Sequence, residues 1–249
     1  MGAHLLITGG GSGIGRSVAQ ALGPTHAVSL VGRRREPLEE TASSLPEAGA
    51  FAADVADENA LQMAVSEARS RFGPVTALVA AAGVSGTAPV VKTEPSLLRE
   101  LFAVNVEGVL NAIRLVVPGM VDAGGGRVVA IASTASLKGY AYAGAYAATK
   151  HAVLGLIRSL ALETAKTGVT ANAVCPGFAD TEMTEASIER IMEKTGRSAA
   201  EARAALAQHN PMGRLVAPGE VADAVKWLLG PGASAVTGQA IAVAGGEVM

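Results

Sequence analysis

The sequence predicts an α/β fold: a doubly wound, parallel sheet of about seven strands, covered by helices on both faces as a three-layer sandwich. Three observations carry this expectation. Short apolar runs alternate with longer helical stretches from end to end, which is the order a βαβ chain requires. The runs are apolar throughout, as strands covered on both faces must be. No repeat, low-complexity tract or linker divides the chain, so residues 1–249 read as a single domain, a length at which α/β folds often stay undivided.

Strands are expected at residues 3–8 (AHLLIT), 26–31 (HAVSLV), 49–53 (GAFAA), 75–80 (VTALVA), 127–132 (RVVAIA), 169–174 (VTANAV) and 239–243 (QAIAV). Helices are expected between them at 13–22, 35–44, 58–72, 97–123, 145–167 and 219–229. One segment breaks the rhythm. Residues 181–211 are polar, helix-prone and strand-free, and include Ile188-Glu189-Arg190-Ile191-Met192. Inserted after the sixth strand, such a segment reads as a lid over a site.

Composition narrows the function classes. Charged residues make up 17% of the chain and the formal net charge is -2, so nothing draws the protein to nucleic acid or to anionic membranes. Residues 72–91 and 230–246 carry no charge but are cut by Gly and Pro, which argues against membrane helices. Met1-Gly2 resembles the start of a myristoylation site, but the following residues run into an apolar strand, so no lipid anchor is expected. The single Cys175 excludes an internal disulfide, and the first residues lack the basic region of a signal peptide. The expectation is a cytoplasmic protein with no metal site.

The first strand runs into Thr8-Gly9-Gly10-Gly11-Ser12-Gly13-Ile14-Gly15, which opens the first helix. This strand–turn–helix context makes a glycine-rich string a dinucleotide-binding signal and the fold Rossmann-like. Gly9 is expected to make the tight turn, Gly13 to let the backbone approach a pyrophosphate, and Gly15 to allow close helix packing. Gly11, Ser12 and Ile14 complete the contact. Free amides at the helix start favour negative charge. The second strand ends in Gly32-Arg33-Arg34-Arg35, with no acid before Glu36. A guanidinium there suits a 2′-phosphate, so NADP(H) is favoured over NAD(H), with Arg33 the principal contact. Asp54 and Val55, after the third strand, are placed to touch the adenine.

Tyr146 and Lys150 lie four residues apart in a helical stretch and share a face. A phenol titrates near pH 10 by itself, too high for proton transfer near neutrality. A neighbouring ammonium favours phenolate. Ser133, at the end of the fifth strand, lies where open α/β sheets place ligands.

Taken together, the glycine-rich turn, Asp54-Val55, Asn105, Ser133, Tyr146-x-x-x-Lys150 and Pro176-Gly177 resemble the short-chain dehydrogenase/reductase family over essentially the whole chain. The resemblance implies a Ser133-Tyr146-Lys150 triad extended by Asn105, which would bend its helix and hold a water linking Lys150 to solvent. It implies that Tyr146 and Lys150 also touch the cofactor, that Pro176, Gly177 and Thr181 position the nicotinamide, and that the protein is a homotetramer or homodimer. It also implies interconversion of a ketone and a secondary alcohol, with Tyr146 as general acid or base. One departure stands out. After the fourth strand the family usually has N-N-A-G, whereas this chain reads Ala80-Ala81-Ala82-Gly83. The backbone at Ala81 and Gly83 can still run beside the adenosine ribose, but amide side chains that would tie the central strands are lost.

The stretch 133–183 looks most like 3-oxoacyl-thioester and polyketide ketoreductases, so a small-molecule β-oxo substrate is expected. The pocket would be lined by Val84, Ser85, Thr134, Leu137, Tyr140, Tyr142 and the 181–211 lid. A substrate carried on coenzyme A or a carrier protein would call for a basic ring, with Lys138, Arg190, Lys194, Arg197 and Arg203 as candidates. Dehydrogenation of an unrelated hydrophobic alcohol, or a non-catalytic nucleotide sensor, are the alternatives. A sensor would have no need of the Tyr146–Lys150 pair.

Overall fold

The computed structural model describes residues 3–249; the Met1-Gly2 expectation lies outside them. Seven strands form one sheet: β1 (His4–Thr8), β2 (Ala27–Gly32), β3 (Ala48–Ala52), β4 (Ala77–Ala80), β5 (Gly126–Ile131), β6 (Val169–Pro176) and β7 (Ala240–Val243). Their order is β3-β2-β1-β4-β5-β6-β7, and every pairing is parallel. The order reverses between β1 and β4, the switch point where such sheets open a crevice for ligands.

Each strand feeds two cores. Leu6, Leu78, Val128, Ala130 and Ala171 face one layer, while Leu5, Ile7, Val28, Leu30, Val79 and Val129 face the other. Successive side chains point to opposite faces of a strand, so cover on both sides makes the run continuously apolar. Helices α1 (Gly13–Leu22) and α2 (Arg35–Ser43) and the later α9 (Pro218–Leu229) cover one face; α3 (Glu58–Phe72), α5 (Gly108–Asp122) and α6 (Gly144–Glu163) cover the other.

The expected single helix over 97–123 is interrupted. Helix α4 (Pro95–Phe102) passes through a π turn (Ala103–Glu107) into α5. Asn105, inside that turn, is drawn toward the chain after β4, where it bonds both the amide and the carbonyl of Val84. A side chain pulled into such contacts is a recognised cause of a π bulge. Strand β6 runs two residues past its expected end because Cys175 and Pro176 pair with β7. Helix α6 stops at Glu163, where the Thr164 hydroxyl donates back to the Leu160 carbonyl. The run Pro95–Asp122 is long and apolar enough to cross a membrane by length and composition. Half of its most apolar stretch is buried, against the sheet and α3, which marks it as a core helix.

The segment 181–211 forms two helices, α7 (Glu182–Thr195) and α8 (Ala199–Ala207). They close on a small core of Ile188, Ala202 and Leu206 backed by Phe178 and Leu215. Arg203 ties the pair to Asp180 and Glu185.

Candidate active site

The glycine-rich turn is held by close backbone approach. Gly9 has φ +72° and donates to the Val31 carbonyl at 2.7 Å; a Cβ on it would lie 2.7 Å from the Ala82 nitrogen. A Cβ on Gly15 would lie 2.2 Å from the Gly9 carbonyl oxygen, so the first helical turn and the loop admit no side chain there. Arg16, which sequence reasoning did not single out, braces the loop by donating twice to the Gly11 carbonyl, at 3.1 and 2.6 Å. Its only sequence signal is an arginine directly after the motif.

A groove of about 150 Å³ opens above this turn, lined by Gly9, Gly11, Ser12, Asp54, Val55 and Gly83, and by the exposed Arg33 and Arg34. Val104, from the π turn, forms part of its wall. Among the described residues neither Arg33 nor Arg34 takes part in an ion pair, whereas Arg35 pairs with Glu39 on the surface of α2. Ser12 precedes α1 with its side chain uncommitted to the helix amides, and Asp54 accepts from the Ala56 amide at 3.0 Å. A bare backbone cradle, free amides and two unpaired guanidinium groups fit a phosphorylated dinucleotide. The Ile14 side chain packs against the core beneath α1. Gly13 and Thr181 line a second, larger cleft of about 490 Å³ with Arg16, Asp180, Glu182 and Glu185. Three carboxylates against one arginine make that cleft a poorer fit for phosphate than the smaller groove, although Thr181 lies against the glycine-rich turn, its Cγ2 3.2 Å from where a Cβ on Gly13 would stand.

Ala80 and Ala81 stand where the family usually has amide side chains. The tie between β1 and β4 is made by the backbone and Thr8: the Ala81 amide donates to the Thr8 carbonyl at 3.1 Å, and the Ala82 amide to Thr8 Oγ1 at 3.3 Å. Asn105 clamps Val84 just beyond.

The residues expected to react come together beyond β5 and β6. Ser133 follows β5, half-buried, and its Oγ accepts from the Ala135 amide at 3.1 Å. Tyr146 lies in the first turn of α6, and Lys150 one turn later places Nζ 5.7 Å from the Tyr146 ring centroid. Lys150 is 6% exposed and donates to the Ile131 carbonyl at 2.9 Å. Asn105 reaches α6 through Thr149 Oγ1 at 3.0 Å. Between Asn105 and Lys150 stands Gly83: a Cβ there would lie 3.3 Å from Asn105 Oδ1 and 3.7 Å from Lys150 Nζ. Pro176 and Gly177 close β6, with the Gly177 amide donating to Val243 O at 3.1 Å.

Burial governs the protonation of this cluster. It pulls the Lys150 ammonium down to about 8, with the adjoining Cys175 acting in the opposite sense, and pushes the Cys175 thiol up to about 11. Burial also raises Tyr146, while the Ser133 hydroxyl draws it the other way. The expected lowering of Tyr146 is not what the protein by itself gives, because burial outweighs the Ser133 hydrogen bond.

On the substrate side, Thr134 is buried, Tyr140, Val84 and Ser85 are half-buried, and Leu137 and Tyr142 are exposed. Tyr142 has φ +65°, and its carbonyl accepts from Ala88 at 2.8 Å. The five candidate cations do not all stay free. Lys138 pairs with Glu247 at 3.3 Å, Arg203 is held by Asp180 and Glu185 within the lid, and Arg190 reaches Thr87 Oγ1. Only Lys194 and Arg197 remain as uncommitted cations of the five among the described residues.

The profile of the family described as short chain dehydrogenase matches residues 3–191. A protein of Streptomyces coelicolor, provisionally named a ketoacyl reductase, is 39% identical over 97% of this chain and 95% of its own length. An actinorhodin polyketide ketoreductase solved with NADPH is 37% identical, with a TM-score of 0.95 over 99% of this chain and 97% of that one. A 3-ketoacyl-(acyl-carrier-protein) reductase from Brucella melitensis, solved with NADH, is 30% identical, with a TM-score of 0.88 over 100% and 99%.

Proposed function

Because this chain belongs to the short-chain dehydrogenase/reductase family, an NAD(P)-dependent oxidoreductase family acting on CH–OH groups, we propose that it reduces the ketone of a β-oxo compound with NADP(H), Tyr146 serving as the proton donor. The observation that carries this reading is the convergence of Ser133, Tyr146 and Lys150 beyond β5, beside a groove edged by Arg33 and Arg34.

The bound nicotinamide would supply hydride to the carbonyl carbon. Ser133 donates a hydrogen bond to the carbonyl oxygen, and Tyr146 gives that oxygen its phenolic proton as charge develops. Burial keeps Tyr146 protonated through neutral pH, the state that reduction needs; oxidation needs phenolate and gains as pH rises. Lys150 restores the proton and holds the nicotinamide ribose, with Asn105 positioning the helix that carries it. Arg33 and Arg34 meet the 2′-phosphate, Asp54 and Val55 the adenine, Ala81 and Gly83 the ribose, and Pro176, Gly177 and Thr181 the nicotinamide. The internal pairing of Lys138 and Arg203 favours a β-oxo compound without a phosphate-rich handle at the pocket mouth. The whole chain acts as one cytoplasmic catalytic domain with residues 181–211 as its lid. It assembles as a homotetramer, for which the outward Leu110 of α5 and Leu162 of α6 offer apolar contact.

The test is Tyr146→Phe assayed by ketone-dependent NADPH oxidation across 3-oxoacyl-CoAs, simple ketones and ketosteroids. We expect a fall in kcat of about 10²–10⁴-fold, the usual worth of general acid catalysis, with NADPH binding retained. Turnover at the wild-type rate would exclude the proposed proton donor.

A further inference from the structure

Beyond β7 the chain turns back over the reactive end of the sheet, and Glu247 lies inside. Its side chain is 1% exposed. Glu247 Oε1 accepts from the Tyr140 hydroxyl and lies 3.3 Å from Lys138 Nζ. Tyr140 also bonds Thr134 Oγ1 at 2.5 Å. A phenol has one proton, which goes to the carboxylate, so the Thr134 hydroxyl is the donor in the second bond. Burial first, and the carboxylate next, hold Tyr140 far above its ordinary value, so it stays a donor.

The other oxygen is different. Glu247 Oε2 is buried with no hydrogen-bond partner among the described residues, and it lies 2.9 Å from the point a Cβ on Gly177 would occupy. It therefore packs over the residue that follows β6. Thr134 adjoins Ser133, and Tyr140 is near enough to Tyr146 to feel its charge. Phe178 and His209 pack their rings on Tyr140 at 6.2 and 5.9 Å between centroids. Glu247 thus backs Thr134 and Tyr140, beside Ser133, and lies over Gly177.

A buried acceptor without a donor is costly, and native proteins keep few of them. At the ligand end of an open α/β sheet, such an atom is an acceptor ready for a ligand. Lys138 already balances the carboxylate charge, so the free oxygen suits a neutral donor and repels an anion.

We propose that Glu247 is a specificity-determining residue: its Oε2 accepts a hydrogen bond from a hydroxyl on the ketone, and the preferred substrates are hydroxylated ketones. The proposal rests on the ketone-reducing reading above. Sequence inspection offered no signal for it, because Glu247 is 107 positions from Tyr140.

The test compares kcat/KM for β-tetralone and its ring-hydroxylated isomers, using wild type, Glu247→Gln and Glu247→Leu, each with its melting temperature and its KM for NADPH. In the wild type at least one hydroxylated isomer should exceed β-tetralone by about ten- to a hundredfold, the range for a bond to a charged acceptor. Glu247→Leu should bring that ratio close to one. Glu247→Gln, which keeps the shape if the leucine variant does not fold, should reduce it severalfold. Equal rates for all the isomers in the wild type, or a ratio that survives both substitutions, overturns the proposal. So does a rise in the KM for NADPH with the ratio intact, which would give the acceptor to the nicotinamide carboxamide. A wild type that reduces no ketone overturns the ketone-reducing reading and this assignment with it, a result distinct from equal rates.

Discussion

The side proposed to hold the nucleotide and the side proposed to carry out the reaction are built by different means. Around β1 and β2 the geometry is set by backbone passing close to backbone: Gly9 against Ala82, Gly15 against the Gly9 carbonyl, and an arginine clasping a carbonyl five residues away. Around β5 to β7 it is set by side chains meeting across the chain: Lys150 with Ile131 over 19 residues, Asn105 with Thr149 over 44, Tyr140 with Glu247 over 107. The first kind of site is compressed into a short motif that tolerates little. The second spreads its determinants, so its parts can change with the substrate while the cofactor chemistry stays.

The comparison breaks most severely at Gly15. A valine there must place Cβ 2.2 Å from the Gly9 oxygen, and we expect a loss of about 3 kcal/mol, typical of severe overpacking, read as a fall in the urea midpoint together with lost NADPH binding. A fold of unchanged stability would show that the turn is not under backbone constraint. A smaller effect is expected at Arg33, which adds a charge without shaping the cradle. Arg33→Ala should raise the KM for NADPH about tenfold, in keeping with the loss of a charge-assisted bond, and leave the KM for NADH alone. An equal effect on both cofactors would remove its assignment to the 2′-phosphate.

The last effect concerns Lys150 and is read in pH. Burial holds Lys150 near 8 against an ordinary 10.5, so between those values the folded state binds fewer protons than the unfolded one. Stability should be lowest below about pH 8, where the buried lysine must be charged, and should climb as pH rises toward 10.5. Lys150→Met should flatten that climb and be the more stable protein at pH 7. Parallel urea-midpoint curves for the two proteins across this range would contradict a buried, charge-strained Lys150.

The strands were legible because cover on both faces leaves a continuous apolar run, and the cofactor turn because close backbone approach admits only glycine at Gly9 and Gly15. What was not legible has equally physical causes. Periodicity over 97–123 remains helical through the π turn, since one inserted residue barely disturbs the pattern; the deviation comes from Asn105 bonding Val84. The end of β6 at Pro176 depends on its partner β7. The five cations were candidates for a basic ring because charge is visible in a sequence while its counter-ion is not: Asp180, Glu185 and Glu247 take up two of them.

By itself the sequence determined the layered parallel fold, the position of the glycine cradle, and the spacing of Tyr146 and Lys150, all of which follow from local backbone geometry and from short-range periodicity. Only the tertiary structure decided where Lys150 directs its ammonium, which cations stay free, and that Glu247 keeps one buried carboxylate oxygen without a partner among the described residues. Those outcomes depend on burial and on partners distant in the chain, and neither quantity is carried by any short stretch of residues.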